Sequence, residues 1–252
     1  MAVRFVPPWA RAIELADLKF QFSPISPFVS KRTILAILGP ESKSVLLKIL
    51  VGSSSGRDAA YHHTVEQALL RAGLVRSQHP AFTQLIDHRW TTFGLVTINE
   101  YIPNAFPLVQ LKCLHPDRLV NLSVRLCDAV SHIHLNASSH GDISLTNVIV
   151  NDQDELHIVD YDLADPVPGF LRTSYNTQQK NWATLEARQT ADIRALERVV
   201  INLLNINARH DCHLSNETRN DVTRLLIRLK QLTDETSALS RLQRLQAILR
   251  EF

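Results

Sequence analysis

His140-Gly141-Asp142-Ile143-Ser144-Leu145-Thr146-Asn147-Val148-Ile149-Val150, a short polar break, and then Leu156-His157-Ile158-Val159-Asp160-Tyr161-Asp162 is the stretch on which the reading of this chain turns. An aspartate is followed five residues later by an asparagine and, after an apolar run of strand character, by a second aspartate eighteen residues from the first. That layout is the one phosphoryl transfer needs. Asp142 would accept the proton of an attacking hydroxyl, while Asn147 and Asp160 would hold the magnesium that neutralises nucleotide phosphates. The competing reading is a surface turn with scattered acids, since Asp, Asn and Ser are ordinary turn formers. The ordered spacing weighs against it.

The whole chain bounds what such a site can belong to. It has 252 residues, 45% of them hydrophobic, which is ample for a buried core in one large or two small domains. With 27 basic and 25 acidic residues the net charge is only +2, so no long-range field favours nucleic acid or an anionic membrane, and neither is expected as a partner. Cys113, Cys127 and Cys212 are too few and too widely spaced for a disulfide framework or a paired-cysteine metal site, which points to a reducing compartment. Arg4, Pro7, Pro8, Arg11 and Glu14 interrupt the region where a secretory peptide needs an apolar stretch, and no segment approaches a membrane span. The expectation is a soluble intracellular protein, cytoplasmic or nuclear.

Moving outward along the chain, Thr33 to Leu38 and Val45 to Leu50 read as buried strands joined by Gly39-Pro40-Glu41-Ser42, a hairpin. Val51 to Asp58 reads as a flexible connection into a helix from Tyr61 to Ala72, followed by strands at Phe82 to Ile86 and Leu95 to Ile98. Pro103, Pro107 and Pro116 mark a change of pattern. The boundary is expected near Ile102, dividing one domain into a strand-rich part (1–102) and a helical part (103–252). Beyond it, Leu119, Leu122, Leu126, Ala129, Val130 and Ile133 form one helical stripe, and Ile193, Leu196, Val199, Val200 and Leu203 another, with Asp192 placed to cap its start. Two more helices carry Val222, Leu225, Leu226 and Leu229, then Leu239, Leu242, Leu245 and Leu249. A strand-rich part followed by a helical one predicts an α+β fold with ligand in the cleft between two lobes. Lys48, inside Val45-Leu46-Leu47-Lys48-Ile49-Leu50, is an amine that needs a facing anion unless it snorkels from an edge strand to water.

The His-Gly-Asp, Asn and Asp series resembles the catalytic and metal loops of the protein kinase-like superfamily, His-Arg-Asp-x-x-x-x-Asn and Asp-Phe-Gly, and the resemblance spans about residues 18 to 252. It implies a two-lobed kinase-like fold, ATP and magnesium as cofactors, and a protein with a serine or threonine acceptor as partner. On this resemblance Asp142 and Asn147 are catalytic, Asn147 and Asp160 hold metal, and Lys48 touches nucleotide phosphates and pairs with Glu66 of Thr64-Val65-Glu66-Gln67. The backbone of Glu100 to Ile102 would face an adenine edge, with Asn99 as gatekeeper; Asp192 would anchor the catalytic loop and His140 would brace it.

The chain also departs from that pattern. Ser23-Pro24-Ile25-Ser26-Pro27-Phe28 stands where the family has a three-glycine phosphate loop, and proline has no amide hydrogen to offer. Gly141 replaces an arginine, Ser144 a lysine, and Asp162 the glycine of Asp-Phe-Gly, where an aspartate still visits unusual backbone angles. His-Gly-Asp with a following serine is similar to the atypical kinase of the KEOPS complex, as are Thr146-Asn147 and Leu196-Glu197-Arg198, and to aminoglycoside phosphotransferases. Three outcomes stay open: a protein serine/threonine kinase, a pseudokinase that only binds, or a small-molecule phosphotransferase. The last would use Phe170 to Glu186 as a lid over the cleft. His132, His134 and His140 have neither the spacing nor the companion acids of a zinc site.

Overall fold

Residues 20–22, 33–38, 43–50, 59–91, 94–111, 114–162, 184–209, 216–230 and 238–251 are described by the computed structural model. Runs of aliphatic residues build β1 (Phe20–Phe22), β2 (Thr33–Leu38), β3 (Lys43–Ile49), β4 (Leu85–Thr91) and β5 (Gly94–Glu100), an antiparallel sheet in the order β1-β2-β3-β5-β4. Every residue of β5 except Glu100 is buried, whereas β4, at the sheet edge, has no buried residue. Helix α1 (Ala59–Ser77) covers the sheet, packing Val65, Ala68 and Leu69 against Leu50 and Leu95. In β3, Lys48 lies opposite Thr97 of β5, so both side chains share one face of the sheet.

The second half is helical around a small second sheet. Strands β6 (Phe106–Pro107), β7 (Val148–Val150) and β8 (Leu156–Ile158) pair in the order β6-β7-β8. Around them lie α2 (Pro116–Leu135), α3 (Leu185–Arg209), α4 (Asn216–Lys230) and α5 (Ala238–Arg250). The core is built from the expected stripes: Leu119, Leu122, Leu126, Val130 and Ile133 of α2 meet Ile193, Leu196 and Val200 of α3 and Leu242 and Leu245 of α5. The architecture is therefore α+β, a small antiparallel sheet followed by several helices, as expected and compatible with a two-lobed kinase-like fold. No helix among the described residues is long and apolar enough to cross a membrane.

Three elements differ from the sequence expectation, each for a local reason. Helix α1 runs on to Ser77 rather than ending near Ala72 because Val75 and Arg76 are also buried. Gly73, within that turn, keeps the helix close to β4: an added Cβ would meet Leu85 Cδ2 at 3.3 Å. Strand β4 starts at Leu85, and Phe82 instead makes a single parallel bridge to Ile158 of the other sheet. Helix α3 starts at Leu185, so Asp192 is interior to it and does not cap it. The cap is Thr184, whose hydroxyl accepts the amide of Ala187 at 3.2 Å. The expected hairpin turn Gly39-Pro40-Glu41-Ser42, the connection 51–58, Ser23 to Phe28 and most of Phe170 to Glu186 lie outside the described residues.

Leu126, fully buried at the centre of the helical core, tests this packing. Leu126→Ala is expected to lower the unfolding free energy by about 2–5 kcal/mol. Equilibrium denaturation reads it directly, and a loss under about 1 kcal/mol would mean that the helices do not pack as described.

Candidate active site

The loop bearing Asp142 begins where α2 ends. Ala137, at φ 51°, closes that helix, its amide bonding to His134 O and the next amide, of Ser138, to Ile133 O. The chain then passes under α3, where the buried carboxylate of Asp192 accepts the amides of His140 and Gly141, each at 2.7 Å. His134 Nε2 donates to the same carboxylate at 3.2 Å. The anchoring role expected of Asp192 is thus seen directly. Gly141 adopts φ 79°, a region that a side chain with a Cβ enters only with strain, so a glycine suits this turn.

From that anchor the two proposed chemical loops are tied to each other. The Asn147 side-chain amide donates to the Asp142 carbonyl at 2.9 Å and to Asp142 Oδ2 at 3.0 Å. Asn147 O accepts the amide of Val159 at 2.9 Å, and the Val159 carbonyl accepts from His140 Nε2 at 3.1 Å. His140 Nδ1 accepts the Asp142 amide at 3.1 Å, so the ring proton sits on Nε2 and the buried histidine braces both loops. On the other side of Asp160, Tyr161 is buried, stacks on His140 with centroids 5.7 Å apart, and donates its hydroxyl to Ser138 Oγ at 2.8 Å. Both neighbours of Asp160 are therefore fixed. Asp160 itself is held at φ 66°, so the unusual backbone angle falls on the first aspartate of Asp-Tyr-Asp, and Asp162 does not share it.

Lys48 meets anions, but the glutamate expected for it is elsewhere. Its ammonium lies 2.8 Å from Asp160 Oδ1 and 2.5 Å from Asp162 Oδ2. Glu66 accepts instead from the Trp90 indole at 2.7 Å, which draws it toward β4 and leaves the Lys48–Glu66 pair unformed. Asp162 takes over that role. Burial alone would push the Lys48 pKa down, yet the Asp162 and Asp160 carboxylates outweigh it and hold the lysine above its ordinary 10.5. For Asp160, the surrounding protein would raise the pKa, but Lys48 wins and holds it below the ordinary 3.8.

The inner flank of β5 carries a buried polar ladder that sequence reasoning missed. Arg76, 3% exposed, donates to Thr83 O at 2.5 Å and to Asn99 Oδ1 at 2.8 Å. Asn99 donates to Thr97 Oγ1 at 2.9 Å, and Thr97 donates to the carbonyl of Lys48 at 3.3 Å. Burial lowers the Arg76 pKa against the pull of Asp162 and Asp160. The only sequence signal was a cation on the apolar side of α1, next to Val75. At the strand end, the Glu100 amide already bonds to Gln84 O at 2.9 Å. Among the described residues Ile102 makes no backbone hydrogen bond.

The donor set suits a hard divalent cation. Among the described residues Asn147 Oδ1 has no hydrogen-bond partner, and the Asp160 side chain is 45% exposed, which leaves oxygen ligands of the kind magnesium prefers. Each of His132, His134 and His140 is committed to a protein oxygen, of Val75, Asp192 and Val159 respectively.

No family model matches the chain. It is distantly similar to a protein kinase, which supports a kinase-like phosphotransferase. The similar protein is Aurora kinase B of Mus musculus, 27% identical over 141 residues, an alignment that covers 54% of this chain and 40% of that protein.

The Lys48 cluster gives stability a defined pH window in metal-free protein. The Asp160 contribution is present above about pH 4 and is lost as pH falls further; the Lys48 contribution is present below about pH 10.5 and is lost only as pH rises past the elevated value. Lys48→Met removes the cation in contact with both carboxylates. The stability gap between wild type and this variant should therefore be widest near neutral pH and shrink below about pH 4, as thermal unfolding across pH will show. A gap independent of pH would contradict the pairing.

Proposed function

We propose that this chain is an ATP- and magnesium-dependent phosphotransferase acting on a serine or threonine hydroxyl of a protein, with residues 1–102 as the nucleotide-side lobe and 103–252 as the catalytic lobe. The observation that supports it is the locked pair of Asp142 and Asn147, tied through Val159 to an Asp160 carboxylate that already faces the Lys48 ammonium. These four groups come from β3, the loop after α2 and the loop after β8.

Asp142 Oδ1 has no partner among the described residues and accepts the hydroxyl proton as the acceptor oxygen bonds to the terminal phosphorus and the bond to the ADP leaving group breaks. Asn147 holds Asp142 in orientation through Nδ2 and keeps Oδ1 for metal. When bound, magnesium would neutralise phosphate oxygens with Asn147 and Asp160 as its ligands. Lys48 orients phosphates after loosening its hold on Asp162, and Ile102 offers its backbone to the adenine edge. A reducing intracellular setting and a protein partner follow from this reading.

One observation favours a second reading. Asp160 and Asp162 neutralise Lys48 internally, and a pseudokinase that binds a partner without nucleotide would be stable in that state. The two part cleanly by experiment. Asp142→Asn is expected to keep magnesium-dependent ATP binding and to lower transfer by about 10²–10⁴-fold, while Asp160→Asn loses that binding. Phosphate incorporation and ATP-induced thermal stabilisation are the measurements. Wild-type protein that neither gains stability from ATP with magnesium nor transfers phosphate would establish the pseudokinase.

A further inference from the structure

Beside Asp142 lies a cavity of about 870 Å³ whose second wall is the first half of α3. Along that helix Glu186, Thr190, Arg194 and Arg198 follow one another at every fourth residue, so they form one ridge over the trough made by Ala187, Ala191 and Ala195. Arg194 and Arg198 are exposed, one turn or about 6 Å apart, and neither has a hydrogen bond or ion pair among the described residues.

Two cations side by side with no anion repel each other, so the fold gains nothing from them as they stand. Other arginines of the helical half are paired: Arg241 with Glu197, Arg228 with Glu251, Arg250 with Asp128. The neighbouring sequence does not supply the missing charge either, since residues 163–183 hold one acid, Asp165, against Arg172 and Lys180. Of the cavity's own carboxylates, Asp192 is consumed by the His140 and Gly141 amides. Glu186 lies two turns from Arg194, about 12 Å along the axis and beyond a Debye length at physiological salt. Asp142 is reserved for the acceptor hydroxyl in the function proposed above, on which the acceptor part of this inference rests.

We propose that Arg194 and Arg198 are a docking site for an anionic side chain, a carboxylate or a phosphate, on the protein segment that carries the acceptor hydroxyl. The two guanidinium groups take one anion between them by charge-assisted hydrogen bonds. Glu186 at the opposite end of the ridge makes the cavity polar along its length, so an acid is accepted on one flank of the acceptor and disfavoured on the other.

Fluorescent peptides with one central serine, flanked on either side by glutamates, by a phosphoserine or by lysines, test this by anisotropy with the full chain. Wild-type protein is expected to bind glutamate or phosphoserine peptides about tenfold or more tighter than lysine peptides, on one flank only, and less tightly as salt rises. The glutamate and phosphoserine arms tell which anion is preferred. The double variants R194A/R198A and R194E/R198E should lose the preference and invert it, respectively, with unchanged thermal midpoints because both residues are on the surface. Equal affinity for acidic and lysine peptides, or a preference that survives both double variants, would overturn the proposal. Binding is read without turnover, so selective binding with no phosphate transfer would leave the docking site standing and remove only the phosphotransferase reading.

Discussion

One buried carboxylate organises the centre of this molecule. Asp192 sits inside α3 among the apolar residues that join the helices, and its charge is stabilised there by the amides of two consecutive loop residues, His140 and Gly141. The dependence runs both ways. The amides have no other way to be satisfied in the core, and an orphaned buried donor costs about 1–3 kcal/mol. The loop is thereby fixed to α3 within the helical core.

A second set of ties carries this rigidity to the loop after β8. His140, pinned by its amide, passes the constraint through its ring to Val159 and Tyr161, so that Asp160 is held between two immobilised neighbours in a left-handed backbone conformation. Strained backbone of this kind persists only where its surroundings over-determine it. Lys48 comes from the sheet, and its two carboxylates make the sheet and the loop after β8 mutually dependent. Lys48 pairs with Asp160 and Asp162, and Glu66 holds Trp90 instead.

The helical core was legible because its signal is periodic: Leu119 to Ile133 and Ile193 to Leu203 repeat at helical spacing and face each other in the structure. The tie between the two loops was legible because Asp142, Asn147 and Asp160 stand at fixed offsets, and the structure bonds Asn147 to Asp142 and to Val159 beside Asp160. Less legible were elements with weak patterns. Strand β4 alternates too little to announce itself, as Leu85 to Thr91 are all partly exposed. The first two turns of α3 are polar because they line a cavity, and their start was therefore placed too late, at Asp192. Partner choice lay beyond the sequence altogether: that Lys48 would take Asp162 and Glu66 would take Trp90 depends on the placement of the sheet edge, which no local pattern encodes.

The ladder from Arg76 through Asn99 to Thr97 has a consequence for the molecules this cleft would admit. Arg76, Asn99 and Thr97 are all buried, so this flank of β5 is lined by an amide and a guanidinium instead of hydrocarbon. A small acceptor such as a carbonyl or nitrile would meet donors there, whereas a hydrocarbon group would strip hydrogen bonds from a guanidinium already desolvated by burial.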